Sequence, residues 1–283
     1  MSSQIRSVEA RDITRAVRDM CMRVNRYLPE DVKQCIAVGA AKETNSTAIE
    51  VFRQLQENIT LAADTGLPLC QDTGLAVLFV QLGQNAHVDG GDLDAAINEG
   101  VRQGYEEGYL RKSTNDPFTR VNTKDNTPAI VHYSIVPGDK IKLSLMAKGG
   151  GAENMSRVTM LAPAEGWEGV KQFVINRVAE SRSNPCPPVI VGVGIGGTFE
   201  YSAILAKKAL LRKLDDINPD TDLAAKEAEL LDAINKLGIG PMGLGGKTTC
   251  LGVKMLVAPC HIASLPLAVN IQCHSSRHEE VEL

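Results

Sequence analysis

Five consecutive residues, Cys70-Gln71-Asp72-Thr73-Gly74, set a soft metal ligand, an amide, a carboxylate, a hydroxyl and a turn glycine side by side. They fall between a helical pattern and a strand pattern, where loop side chains can face a ligand. The chain holds seven cysteines, an odd number and widely scattered. With no export signal in view, such a set makes a poor disulfide framework, and metal or redox chemistry is the better use for it. Cys186 sits in the rigid turn Ser183-Asn184-Pro185-Cys186-Pro187-Pro188, and Cys273 precedes His274 near the end. Cys21 and Cys35 fall on apolar helix faces and read as buried structural thiols.

Other segments offer chemistry and must be weighed against plainer uses. Gly192-Val193-Gly194-Ile195-Gly196-Gly197 follows a strand pattern and opens a helix, with Asp215 and Asp216 about 20 residues on, as a dinucleotide fingerprint requires. The alternative is a tight strand-to-helix junction with close backbone packing. Gly240 to Thr248 resembles a phosphate loop, but Pro241 stands where that pattern needs glycine. Cys273-His274 and Cys260-His261 raise zinc, yet the paired C-x₂-C knuckles of structural zinc sites are missing. Lys148-Gly149-Gly150-Gly151 reads equally as a flexible turn or as a place where a ligand approaches the backbone. His87 and His132 read as exposed or satisfied side chains. His261 lies in a largely apolar stretch, where an imidazole needs a partner or a task.

Bulk properties narrow the class. The 283 residues are 43% hydrophobic and 23% charged, enough for a sizeable core. A net charge of −4, with five Phe, five Tyr and one Trp, argues against a nucleic-acid surface or an anionic membrane partner. No apolar run reaches the ~18 residues of a membrane span. No hydrophobic leader follows Met1, so a cytoplasmic protein is expected.

Periodicity predicts the elements that position these residues. Helices are expected over 9–23, 29–41 and from the Asn45 cap to about Gly66. A strand is expected over 75–82 and a helix over 90–108, followed by a polar stretch, 109–127, of the length that functional loops have. Strands 129–136 and 140–147 are joined by Pro137-Gly138-Asp139 and read as a hairpin. Beyond the glycines come a helix over 166–180, a buried strand over 189–193, helices over 199–212 and 223–237, and strands over 250–258 and 262–272. With no repeat and no linker, the simplest reading is one α+β domain over 1–283. Its helical N-terminal layer (1–66) packs on a mixed sheet (67–283), with the cysteines in loops.

Taken together, these motifs resemble a known family. Cys70-Gln71-Asp72-Thr73-Gly74, Lys148-Gly149-Gly150-Gly151, Cys186-Pro187-Pro188 with the glycine-rich run behind it, Gly238-Ile239-Gly240-Pro241-Met242-Gly243, and His261-Ile262-Ala263-Ser264-Leu265-Pro266 with Cys273 are similar to the class I, iron–sulfur fumarate hydratases. The likeness is to the separate α subunit, equivalent to the N-terminal domain of the single-chain enzymes. L-tartrate dehydratase α subunits share the layout and rank second, because the motifs around His261 and Lys247 look more like the fumarase version.

The resemblance implies a [4Fe–4S] cluster held by Cys70, Cys186 and Cys273, which are 116 and 87 residues apart. Three thiolates leave one iron open as a Lewis acid for the hydroxyl and a carboxylate of malate. It further implies that Gln71 and Asp72 contact substrate, that Arg111 pairs with a substrate carboxylate, that amides near Gly150 hold another oxygen, and that His261 acts in the site. Asp72 and His261 are the expected catalytic residues. The rest of the dicarboxylate site would come from a β subunit, so the chain alone is expected to have little hydratase activity. The rival of another class is a cluster-bearing regulatory or electron-transfer protein, in which Cys250 or Cys260 would supply a fourth ligand and close the cluster.

Overall fold

The computed structural model describes residues 5–283. In chain order the elements are β1 (Arg6–Glu9), α1 (Ala10–Arg26), α2 (Glu30–Lys42), α3 (Ser46–Thr65), β2 (Leu75–Gly83), β3 (Ala86–Asp89) and α4 (Leu93–Glu107). Then follow β4 (Ile130–Val136), β5 (Ile141–Lys148), α5 (Gly150–Glu153), β6 (Arg157–Leu161), α6 (Gly166–Ser181), β7 (Val189–Gly197) and α7 (Phe199–Ala209). The chain ends with α8 (Thr221–Asn235), β8 (Cys250–Cys260), β9 (Leu265–Gln272) and β10 (His278–Glu282). Helices and mixed sheets make an α+β fold, as the patterning predicts.

The helix boundaries follow from local chemistry. In α1, Ile13, Val17, Met20, Cys21 and Val24 recur at three- and four-residue spacing and are all buried. Asn45 caps α3, its Oδ1 accepting from the amides of Thr47 (2.9 Å) and Ala48 (3.1 Å). Gly66 ends that helix at φ +72°, a conformation favouring glycine, and its amide closes on the Ala62 carbonyl.

The chain divides into two compact units, each built from separated segments. The first comprises the described residues up to Pro29, then Leu61–Gly149 and Arg277–Leu283. Its main sheet has the order β10-β5-β2-β4, with α1 packed against β5. Ile13, Val17, Leu78, Val80, Ile97 and Leu143 are among the residues of its core. Here the expected hairpin fails. β2 inserts between β4 and β5, parallel to the first and antiparallel to the second. The Pro137-Gly138-Asp139 link instead spans the end of β2. Gly83 makes that possible, since a Cβ there would lie 2.7 Å from the carbonyls of Gly138 and Lys140.

The second unit comprises Glu30–Thr60 and Gly150–Ser276. Its sheet has the order β6-β9-β7-β8, with β7 antiparallel to β9 and parallel to β8. α2 packs against β8, and α7 lies directly on β7. The glycines of the dinucleotide-like run sit inside β7 rather than in a turn. A Cβ at Gly192 would lie 2.1 Å from the Ala206 carbonyl oxygen, and one at Gly194 2.1 Å from that of Ser202. These glycines serve helix-on-strand contact, the packing alternative named above, and the dinucleotide reading loses its turn.

Candidate active site

In the first unit, the loop from Leu69 to Gly74 is fixed by partners distant in sequence. The Leu69 amide donates to the Asn25 carbonyl (2.8 Å). Tyr105, 1% exposed, donates its hydroxyl to the carbonyls of Thr73 (3.0 Å) and Gly74 (2.9 Å). Asn126 Nδ2 donates to the Gly74 carbonyl at 3.2 Å, and Thr73 Oγ1 to the Arg111 carbonyl at 2.9 Å. Gly74 turns the chain at φ +76°, where a Cβ would lie 2.8 Å from the Lys148 backbone. On this support Cys70 and Asp72 are half-buried and Gln71 is exposed. The Cys70 thiol donates to Gln71 Oε1 (3.2 Å), and Asp72 Oδ1 accepts from the Gly74 amide (3.0 Å). Arg111 is tied to this loop through its main chain, and its side chain is exposed.

The polar stretch after α4 is ordered by the same partners. Asn126, 1% exposed, accepts the amides of Ser113 (2.7 Å) and Thr114 (3.2 Å) on Oδ1 while holding Gly74 with its other end. The stretch is therefore a brace for the Cys70 loop as well as the carrier of Arg111.

In the second unit, Cys186 and Cys273 come together. β7 begins at Val189 and β9 ends at Gln272, and Ile190 pairs with Gln272, so both cysteines leave the same end of the sheet. His274 Nδ1 donates to the Cys186 carbonyl at 2.9 Å. Cys186 is exposed, at a strained φ of +55°. The Met242 amide bonds the Pro187 carbonyl (2.7 Å). Gly243 lies against Ser183 and Gly151 faces the Asn184 carbonyl, so both glycine runs border the Cys186 turn. Next to Cys273, Gln272 Oε1 and Ser275 Oγ are buried without a hydrogen-bond partner.

His261 is elsewhere in this unit. It is exposed in the turn between β8 and β9, beyond Gly197, the residue that pairs with Cys260. The length of β7, about 26 Å at the usual strand rise, separates it from the Cys186 end. Its Nδ1 accepts the Ala263 amide (3.1 Å). Beside it lies an apolar cavity of about 440 Å³ lined by Trp167, Val170, Leu223 and Met255 among others. The structure thus groups Cys70, Gln71, Asp72 and Arg111 in one unit and Gly150, Cys186 and Cys273 in the other, and it sets His261 at the far end of the second sheet.

The state of each thiol bears on which cysteines could serve a thiolate-held cluster. Cluster ligands must shed a proton, and burial opposes that. Burial pushes the Cys250 thiol up to about 12 and raises those of Cys21 and Cys35 as well. Cys260 shares the far end with His261 and donates to the Ser264 carbonyl. Cys70, Cys186 and Cys273 are the remaining three, all in loops and all at least partly exposed. Among the described residues, no three His, Cys, Asp or Glu side chains are gathered as a site for a single metal ion. A cluster spreads its cysteines over different irons and so does not require that spacing.

The phosphate-loop resemblance has a structural explanation. Glu43, 7% exposed, accepts the amide of Lys247 at 2.7 Å on one oxygen and those of Thr44 and Asn45 on the other. Burial works against its charge, but these amides win and hold the carboxyl below its ordinary pKa. The run that looked ready for a phosphate already binds an anion of its own chain.

Four residues of this architecture carry no signal in the sequence: Asn25, Tyr105, Asn126 and Arg277. Arg277 lies four residues after Cys273, where its charge suggests an exposed side chain. It is instead 1% exposed, and its Nη1 donates to Asn25 Oδ1 at 2.9 Å.

Comparison with known proteins gives a consistent result. Residues 14–282 match the fumarate hydratase (Fumerase) family. A Methanocaldococcus jannaschii protein, provisionally named L(+)-tartrate dehydratase subunit alpha, is 42% identical over 257 residues, covering 89% of this chain and 90% of its own length. The L(+)-tartrate dehydratase subunit alpha of Escherichia coli UTI89 is 32% identical over 281 residues, covering 98% of this chain and 92% of its own. Its counterpart in strain K12 is 31% identical over the same length.

Proposed function

Because the chain belongs to the fumarate hydratase (Fumerase) family, we propose that it is the alpha subunit of an iron–sulfur hydro-lyase. The reaction is reversible removal of water from a four-carbon 2-hydroxy dicarboxylate. The observation that supports this most is the joining of the Cys186 and Cys273 turns by the His274 hydrogen bond, while the other cysteines that flank the sheet are buried or at its far end.

In this reading Cys70, Cys186 and Cys273 hold a [4Fe–4S] cluster. With one iron lacking a protein ligand, such a group supplies Lewis acidity toward a hydroxyl or carboxylate oxygen. The protein's own groups do the rest. Gln71, exposed beside Cys70, offers an amide to a substrate oxygen. Asp72, oriented by the Gly74 amide at Oδ1, is the carboxylate of this loop assigned to proton exchange with substrate. Arg111 supplies a planar fork suited to a carboxylate. Gly150, lacking a side chain, lets the substrate approach the backbone. No step is assigned to His261, which lies at the opposite end of the second sheet from Cys186 and Cys273. A beta subunit completes the substrate contacts, in keeping with the relatives' names as alpha subunits. Among the described residues no helix is long and apolar enough to cross a membrane.

Two substrates fit this chemistry. The family description and the motifs around His261 favour fumarate and malate, whereas the relatives' names favour L(+)-tartrate. Anaerobic reconstitution with iron and sulfide, with and without the beta subunit, tests the reading when malate, fumarate and L(+)-tartrate are assayed side by side. Turnover of one of them only in the presence of both subunits is the expected result. Turnover of none of them by the loaded pair, or full cluster content in a Cys186→Ser variant, would refute it.

A further inference from the structure

We propose that Arg277 is a positioning residue for the candidate active site, holding the Cys70 loop through Asn25 and aiming the Asp72 carboxylate across Gly149. The proposal rests on the reading above, in which Cys70 and Asp72 carry the chemistry.

Arg277 is the bulkiest of the fully buried side chains, at 1% exposure. Removing a guanidinium from water is costly unless its hydrogen-bonding groups and charge are met. Here Nη1 donates to Asn25 Oδ1 at 2.9 Å, while Nε is buried with no partner. Nη2 and the Asp72 carboxylate both lie beside Gly149. A Cβ built on Gly149 would lie 3.6 Å from Arg277 Nη2 and 3.2 Å from Asp72 Oδ2. These two atoms are therefore no more than about 7 Å apart, near enough for the opposite charges to attract. Gly149 leaves the space between them clear.

The second grip runs through Asn25, which is fully buried. Its side chain donates to the Cys21 carbonyl (2.9 Å), and its own carbonyl accepts the Leu69 amide (2.8 Å). Leu69 directly precedes Cys70. Arg277 is itself anchored by its carbonyl, which accepts the Ala147 amide at 3.0 Å. One side chain thus bears on both ends of the Leu69–Asp72 segment. Only a planar fork can do this, since a lysine ammonium is a single point charge.

The test uses the cluster-loaded pair of subunits carrying Arg277→Lys, with activity expressed per bound cluster. Turnover is expected to fall about 100-fold, with KM moving less than about 3-fold, because substrate still binds but meets a misaimed carboxylate. In the chain alone, amide exchange at Leu69 is expected to rise about 10-fold. That arm stands even if neither malate nor tartrate is the substrate. Turnover per cluster within about 3-fold of the parent would overturn the proposal. So would an activity loss that merely tracks cluster loss, or unchanged exchange at Leu69. Should Arg277→Lys fail to fold, Gly149→Ala tests the same geometry from the other side. Its methyl group crowds Asp72 and Arg277, and a drop of about 10-fold per cluster is expected; unchanged turnover would overturn the proposal.

Discussion

Replacing Tyr105 by Phe removes one oxygen and leaves the ring in the core of the first unit, where it packs among Ile97, Val101 and Leu110. Among the described residues, the hydroxyl is the one donor seen on the Thr73 carbonyl and one of two on that of Gly74, Asn126 being the other. Burial raises the phenol's pKa, so the group remains a donor throughout the workable pH range. The substitution therefore orphans one buried carbonyl and weakens a second, and it opens almost no cavity. An unsatisfied buried group costs about 1–3 kcal/mol. For a protein of this size, each kcal/mol shifts Tm by about 2–4 °C, so a fall of about 2–12 °C is expected.

The location makes the prediction specific. Both carbonyls belong to the loop of Cys70 and Asp72, so amide exchange should quicken from Leu69 to Leu75 more than in β7 or β9. Tyr27→Phe, at a residue 53% exposed, is the control and should change neither quantity. Tm is read by differential scanning calorimetry and exchange by mass spectrometry, on the chain alone. A Tm within about 1 °C of the parent, together with unaltered exchange across the loop, would refute the view that Tyr105 braces it.

Three further outcomes follow from the same structure. Near neutral pH, alkylation read by peptide mass spectrometry should label the exposed Cys186 and Cys260 and spare the buried Cys21 and Cys250; after reconstitution Cys186 should be protected and Cys260 should still react. Glu43→Gln should cost about 1–3 kcal/mol at neutral pH. Because the folded pKa of Glu43 lies below its ordinary value of 4.5, its contribution is complete above that value and lost as pH falls through the folded pKa, so denaturation midpoints of the two proteins should converge in acid. Gly194→Ala puts a methyl group 2.1 Å from the Ser202 carbonyl oxygen and should cost about 3 kcal/mol in chemical denaturation, whether or not any nucleotide is present.

Periodicity and caps made the long elements legible, since helices such as α1 and α3 are specified by their own side chains. Topology was less accessible. Pro137-Gly138-Asp139 has the chemistry of a hairpin turn, but the strand that separates its arms lies some fifty residues earlier, and only Gly83 betrays the close crossing. The short strands β1, β3, β6 and β10 escaped notice because four or five residues carry too little alternation, and β10 is mostly charged. The glycine run at 192–197 shows the converse failure. One spacing serves a phosphate turn or a strand overlaid by a helix, and only the register distinguishes them.

The same contrast governs the site. Cysteines announce themselves by type, and the loop of Cys70 could be read directly. Its supports could not, because Asn25, Tyr105, Asn126 and Arg277 act by meeting main-chain groups or buried charges far away in sequence, and that task leaves no local pattern. Nor does the division into two units, for the chain passes between them without a linker. It crosses after Pro29, within α3, between Gly149 and Gly150, and between Ser276 and Arg277. The last two crossings adjoin the glycine run and Cys273. A composition shift marks a boundary only where the chain is idle, and of the four crossings only the one inside the glycine run 149–151 falls on residues that the sequence singles out for another reason.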